Sequence, residues 1–257
     1  MTENSELHIL QAMQDSGPGM KGGYTTYGQD IGILMMRTVF PRLPGDIGNA
    51  RSFRVPVRYR IVDVDPLNLT EKNADSQLIR PFIEAAQELE REGCRAITTS
   101  CSFLGGFQRR LADAVHVPVF TSTLLLVPIV YNMLSRERKI GILTESQDIL
   151  PEAYFNQAGW SSRQIPVCIT GQTPDSAFSK LIIGDNAEGN RRQILECITE
   201  MTERHMREHP DTGALVLECT NYAPFAGLIR AISGVPVFSI IDLVEFIDRS
   251  LNPPGYR

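Results

Sequence analysis

Short apolar runs bounded by charged or turn residues recur along the chain. IGILMM at 31–36 follows Asp30, and IGILT at 140–144 follows Lys139. Runs this short and this apolar are the mark of strands buried inside a parallel sheet. The same pattern predicts strands at 31–35, 56–63, 95–99, 117–120, 139–143, 165–169, 213–217 and 235–238. Between them the period changes to that of a helix. In 76–93, Ile79, Phe82, Ile83, Ala86 and Leu89 share one face, and Gly93 ends the pattern. Asn190–Glu208 does the same with Ile194, Ile198 and Met201. Strands alternating with helices predict an α/β fold whose parallel sheet is covered on both sides.

The pattern is also written twice. RAITTSCSFLGGFQRRLADAVHVPVFTSTLLLVPI (95–129) aligns without gaps on GALVLECTNYAPFAGLIRAISGVPVFSIIDLVEFI (213–247), at an offset of 118 residues. Nine of the 35 positions are identical, including Cys101 with Cys219 and both VPVF segments. That is an internal duplication with a period too long for a solenoid, and it predicts two similar α/β halves. The expected boundaries are 29–121 plus 236–257 for the first half and 122–235 for the second. Residues 1–28 are expected to be a tail, or an arm onto a partner subunit.

Composition narrows the class. The chain has 257 residues, a formal charge of −5 and no basic stripe, so a nucleic-acid partner is not expected. No apolar run reaches membrane-spanning length, and the polar N-terminus lacks the features of a secretion signal. A cytoplasmic location is expected. Five cysteines, an odd number without a secretion signal, argue against a disulfide framework, and neither C-x-x-C nor a pair with zinc-ligand spacing to His occurs. His205 and His209 lie in a charged run, TERHMREHP, and are expected on a solvated helix face rather than on a metal. Neither a metal nor a cofactor is expected.

Cys101 and Cys219 stand apart from the other three. Each follows a predicted strand and precedes a predicted helix, and in parallel sheets ligands bind beyond the strands' carboxyl ends. A helix start offers N–H groups that favour a thiolate, so a lowered thiol pKa is expected. If the halves face each other, the two thiols meet across a cleft. Two bases on opposite faces of one carbon can remove a proton and return one without a cofactor. Cys94, Cys168 and Cys197 are read as small core residues.

These residues resemble the aspartate/glutamate racemase superfamily, with its hydantoin racemases, maleate isomerases and arylmalonate decarboxylases. ECTNYAPF is similar to that family's second cysteine motif, and KIGILT and VPVFSIIDLV also fit. The resemblance implies two Rossmann-like halves related by a pseudo-two-fold axis, an active site between them, proton transfer by two cysteines, and a homodimer or larger homo-oligomer. A narrower resemblance, through GILMMRTVFPRLPGDIGNARSF, TTSCSFLGGFQ and ECTNYAPFAGLIR, is to the superfamily's algal dimethylsulfoniopropionate lyases. Departures from the glutamate racemases are Met35-Met36-Arg37 after the first strand, Ser102-Phe103 after the first cysteine, and Asn221 after the second Cys-Thr.

The candidate substrate contacts are Thr220, Asn221, Ser102, Phe103, Arg37, Thr144, Thr121 and Tyr222. Thr220 leads as a carboxylate binder; Thr144 and Thr121 follow strands and fit equally well as strand-end residues. Arg37, ahead of Arg42, is the candidate guanidinium grip on a carboxylate. Phe103 and Tyr222 are read as pocket walls or core, and Trp160 as structural. Pro44-Gly45-Asp46 reads as a tight turn, or as a flap over the cleft. The leading expectation is a cofactor-independent racemase or epimerase acting beside a carboxylate or carbonyl of a small amino-acid-like or hydroxy-acid-like substrate. The alternative is a lyase that eliminates a β-substituent after the same deprotonation, and the third is a metabolite-binding regulator without turnover.

Overall fold

The computed structural model describes residues 22–64, 78–146 and 150–253. It contains two four-stranded parallel sheets. The first has the order β2-β1-β3-β4, from β1 (Ile31–Met36), β2 (Val57–Val62), β3 (Ala96–Thr99) and β4 (Val119–Phe120). The second has the order β6-β5-β7-β8, from β5 (Lys139–Thr144), β6 (Val167–Gly171), β7 (Thr212–Leu217) and β8 (Val237–Phe238). Both sheets therefore share one connectivity, and all eight expected strands form.

The pleat explains why the inner strands are apolar throughout. In β1, Ile31, Ile33 and Met35 enter a core shared with Ile140 and Ile142 of β5 and Val216 of β7. Leu34 and Met36 point the other way, into a core of the first half only, with Phe82, Leu89 and Ile97. Leu143, Leu215 and Leu217 face a third core with Phe178, Ile198 and Ile229. A strand with a core on each side has no polar face. Helix α1 (Arg80–Arg91) covers the first outer face through Phe82, Ala86 and Leu89. After α2 (Gln108–Ala112), α3 (Val127–Met133), α4 (Glu152–Gln157) and α5 (Ala177–Ile182), the long α6 (Arg191–Glu208) covers the second. It starts on Asn190, whose side chain caps two backbone N–H groups, and buries Ile194, Ile198 and Met201. Then come α7 (Ala226–Ser233) and α8 (Ile240–Leu251).

Two expectations change. Val237 and Phe238 pair with β7, so 236–238 lie in the second sheet and not with the first half. From there α8 runs back to the first half, with Glu245 3.9 Å from Arg54 and, at its end, Arg95 holding Leu251 O and Asn252 Oδ1, both at 2.9 Å. The boundary lies later than expected because the chain leaves the sheet after β8, not before it. Residues 22–28 rest on their own chain, with Thr26 accepting from Arg58 and Tyr24 beside Gly93; 1–21 lie outside the described residues. His205 is fully buried, between Thr170 Oγ1 at 2.8 Å and Thr212 Oγ1 at 3.1 Å. Burial lowers its pKa to about 4, so the ring is neutral at pH 7. Its charged sequence neighbours hid this, because they occupy the other faces of the same helix. Trp160 is structural as expected, stacked on Phe155 with its N–H on Leu124 O. Among the described residues no helix is long and apolar enough to cross a membrane.

Candidate active site

β3 delivers Cys101 and β7 delivers Cys219, each as the last extended residue before a 3-10 turn, Ser102–Phe107 and Thr220–Phe225. The turns aim N–H groups at the sulfurs: Phe103 and Leu104 at Cys101, Asn221 at Cys219. Both thiols line one cavity of about 150 Å³ between the halves. Thr220 Oγ1 donates to Ser100 O at 2.8 Å, and Thr123 Oγ1 to Leu217 O at 2.8 Å. These bonds tie the two strand ends together across the cleft.

The thiols do not have the lowered pKa expected of them. Burial pushes Cys101 up to about 12 and Cys219 well above its ordinary value, and Glu218 raises both further. The N–H groups oppose this without overcoming it, because desolvation of a thiolate outweighs one or two neutral donors. With pKa values raised this way, both thiols are protonated at pH 7.

Glu218 is the group that sequence reasoning missed. It is buried, accepts from Thr144 Oγ1 at 2.8 Å and from Ser102, and burial carries its pKa to about 7. Glu145 also lines the cavity, raised by burial and held by Ser179 Oγ at 2.7 Å. A carboxylate placed directly after a buried apolar strand was the signal: Glu145 follows KIGILT, and Glu218 follows LVL. Asp185 gave no such signal. It comes from a loop, at φ 45°, and its Oδ1 accepts from Val39 N at 2.7 Å and Phe40 N at 3.2 Å. The segment after β1 thereby crosses the cavity and is fastened to the other half. Gly45, at φ 98°, lies so close to Pro224 that a Cβ there would come within 2.8 Å of its Cα.

Of the expected contacts, Ser102, Phe103, Thr144, Thr220 and Asn221 line the cavity. Three do not. Arg37 is exposed and paired with Asp63 at 3.0 Å, since β1 has already turned it outward; Arg42 reaches the cavity instead. Thr121 is buried against Gln108, which its hydroxyl meets at 2.7 Å. Tyr222 lies behind the wall, stacked on Phe178, with its hydroxyl donating to Thr144 O at 2.9 Å. Among the described residues no group of three or more His, Cys, Asp or Glu side chains could hold a metal ion.

No established family profile matches the chain. It is 26% identical over 230 residues to a dimethylsulfoniopropionate lyase of Durusdinium sp. clade D, covering 87% of this chain and 76% of that protein. It is 25% identical to dimethylsulfoniopropionate lyase 7 of Emiliania huxleyi, of which it spans 64%. Among solved structures, unliganded arylmalonate decarboxylase superposes with a TM-score of 0.57 at 14% identity, covering 89% of this chain and 94% of that one. A glutamate racemase from Bacillus anthracis gives 0.53 at 14% identity, covering 87% and 83%. An aspartate racemase homologue from Pyrococcus horikoshii gives 0.54 at 18%, covering 87% and 100%. The chain thus has the α/β fold of these racemases and of arylmalonate decarboxylase, and its sequence is similar to the dimethylsulfoniopropionate lyases.

Proposed function

We propose that the cavity binds a small zwitterion carrying a carboxylate and a β-onium group, and eliminates that group as a carbon–sulfur lyase would. One observation carries this reading. Glu145, Glu218 and Asp185 line the cavity, and Arg42, the cationic side chain among its lining residues, is already paired with Asp46 at 3.0 Å. A dicarboxylate would add negative charge to such a site. A substrate with a sulfonium brings the compensating positive charge, and the sequence relatives act on one. Met36, Leu150, Ile182 and Ile183 supply apolar walls that keep water from the reacting carbon.

The chemistry balances without a co-reactant. A sulfonium inside the cavity favours ionisation of a nearby thiol, because charges interact strongly where water is excluded. The thiolate takes the proton from the carbon next to the carboxylate. The freed electron pair becomes the second carbon–carbon bond, and the bond from Cβ to the sulfonium breaks with its electrons on sulfur. The products are a neutral thioether and an α,β-unsaturated carboxylate, and the thiol gives its proton back to solvent. Glu218, next to Cys219 and bonded to Ser102 on the other wall, is placed to balance the cation.

A second reading, a two-base racemase or epimerase, is favoured by the thiols' equivalent positions in the two halves. Proton NMR in D2O with dimethylsulfoniopropionate, amino acids, hydroxy acids and hydantoins separates the readings. New vinyl signals support elimination. Loss of an α-proton signal with no new species supports racemisation and overturns the lyase. No change in any compound leaves a metabolite-binding regulator.

A further inference from the structure

Arg42 is held more firmly than a surface arginine needs to be. Its Nη1 lies 3.0 Å from Asp46 Oδ1 and 3.2 Å from Asn221 Oδ1, and its Nη2 lies 2.8 Å from Thr38 Oγ1. The guanidinium sits 4.1 Å from the centre of the Phe40 ring. Asp46 accepts in addition from Gly48 N at 2.7 Å. The side chains are 16% and 4% exposed. Desolvating such a pair offsets much of its attraction, so it is weak evidence for stability and calls for another role.

The role follows from what Arg42 does to Asn221. A guanidinium can only donate, so the Asn221 group facing it must be the carbonyl Oδ1. The amide nitrogen is then turned toward Cys219, with Nδ2 at 3.7 Å from Sγ. Arg42 and Cys101 line the same cavity, and there the same positive charge favours the ionised form of Cys101. The charges facing the thiols otherwise oppose ionisation: Glu218 acts on both, and Glu145 acts on Cys219. Asp185 lines the same cavity.

We infer that Arg42 is a positioning residue for both thiols, orienting the Asn221 amide onto Cys219 and supplying positive charge to Cys101, with Asp46 as its clamp. This rests on the reading that the thiols transfer the proton. It makes the segment after β1, which has left its own half, part of the acid–base machinery. Asn221 carries the effect to one thiol and bare charge carries it to the other, so the two contributions separate.

The test is iodoacetamide alkylation of the full chain across pH, read at Cys219 and Cys101 by peptide mass spectrometry, with Cys94 as internal control. Alkylation follows the thiolate, so a rise of one pK unit slows it about tenfold at fixed pH. Asn221→Ala is expected to raise the midpoint for Cys219 by about that much and to leave Cys101 unchanged. Arg42→Lys is expected to keep Cys101 near the parent profile and to slow Cys219, because an ammonium lacks the planar fork that spans Asp46 and Asn221. Arg42→Met is expected to slow both. Loosened packing would admit water and lower the midpoints, the opposite sign. If Cys219 keeps its parent profile in folded Asn221→Ala and Arg42→Lys proteins, or if Asn221→Ala slows both thiols alike, the inference is wrong. The assay contains no substrate. These shifts appearing while no compound either exchanges its α-proton or gives vinyl signals would sink the proton-transfer reading and leave the positioning role standing.

Discussion

In the first half the residue before the thiol is Ser100, whose hydroxyl accepts from Met36 N at 3.2 Å. In the second half the matching position is Glu218, a buried acid held by Thr144 and Ser102. The frames around them agree: the same strand order, and a cysteine opening a 3-10 turn. The connections differ again. The first half joins β1 to β2 by a long loop that crosses to the other half, whereas the second joins β5 to β6 through α4. Duplication preserved what the sheet's geometry needs, namely the strands and their ends. It left free the polar residue before each thiol and the first connection, and there the halves took different parts: one brings the loop with Arg42, the other brings the acid.

The sharpest way to break this comparison is to remove the thiols one at a time. With Cys219 as base, beside the amide donor, Cys219→Ala should lose on the order of 10²–10⁴-fold in turnover. Cys101→Ala should lose at least about tenfold less than Cys219→Ala. Equal losses, measured as initial rates, would mean the halves act alike and would favour racemisation.

Glu218→Gln tests the other asymmetry. The Glu218 carboxyl is raised from 4.5 to about 7, so the folded chain holds a proton there that the unfolded chain has released. Its stabilising contribution is full below about 4.5 and is lost as pH rises through about 7. Over that window the glutamine variant should gain on the parent by roughly 3 kcal/mol, seen in urea unfolding at a series of pH values. An unchanged pH dependence would mean that Glu218 titrates normally. His205 has the reverse sign: with a folded pKa of about 4 it contributes above 6.5 and is lost as pH falls toward 4.

Matched glycines give a smaller, structural comparison. A Cβ on Gly141 would lie 2.3 Å from His205 Nε2 and 2.6 Å from Leu215 Cδ2, whereas one on Gly32 would meet Leu89 Cδ1 at 2.9 Å. Gly141→Ala should cost about 1–3 kcal/mol and Gly32→Ala less, because a leucine tip yields more readily than a histidine bonded at both nitrogens. Thermal melts giving the reverse order would contradict the packing described. The smallest effect belongs to Arg37→Ala. With its ion pair to Asp63 exposed on both sides, stability should change by less than about 0.5 kcal/mol, and turnover should not change. A clear loss of activity would return Arg37 to the site in place of Arg42.

Strand positions, the duplication and the two cysteines were legible along the chain because each is a local pattern. An apolar run buried on both sides looks the same wherever the sheet stands, and a residue directly after such a run must lie at the sheet's carboxyl edge. By that logic Glu145 and Glu218 were legible too, since each directly follows a buried apolar strand. Tertiary structure alone decided the rest. Whether Arg37 or Arg42 reaches the cavity depends on a loop path fastened by Asp185, 145 residues or more away in sequence. Whether a thiol at a helix start is acidic depends on how much water the opposite half excludes. Burial is a property of what packs from elsewhere, and here it reversed the sign that the local N–H groups had implied.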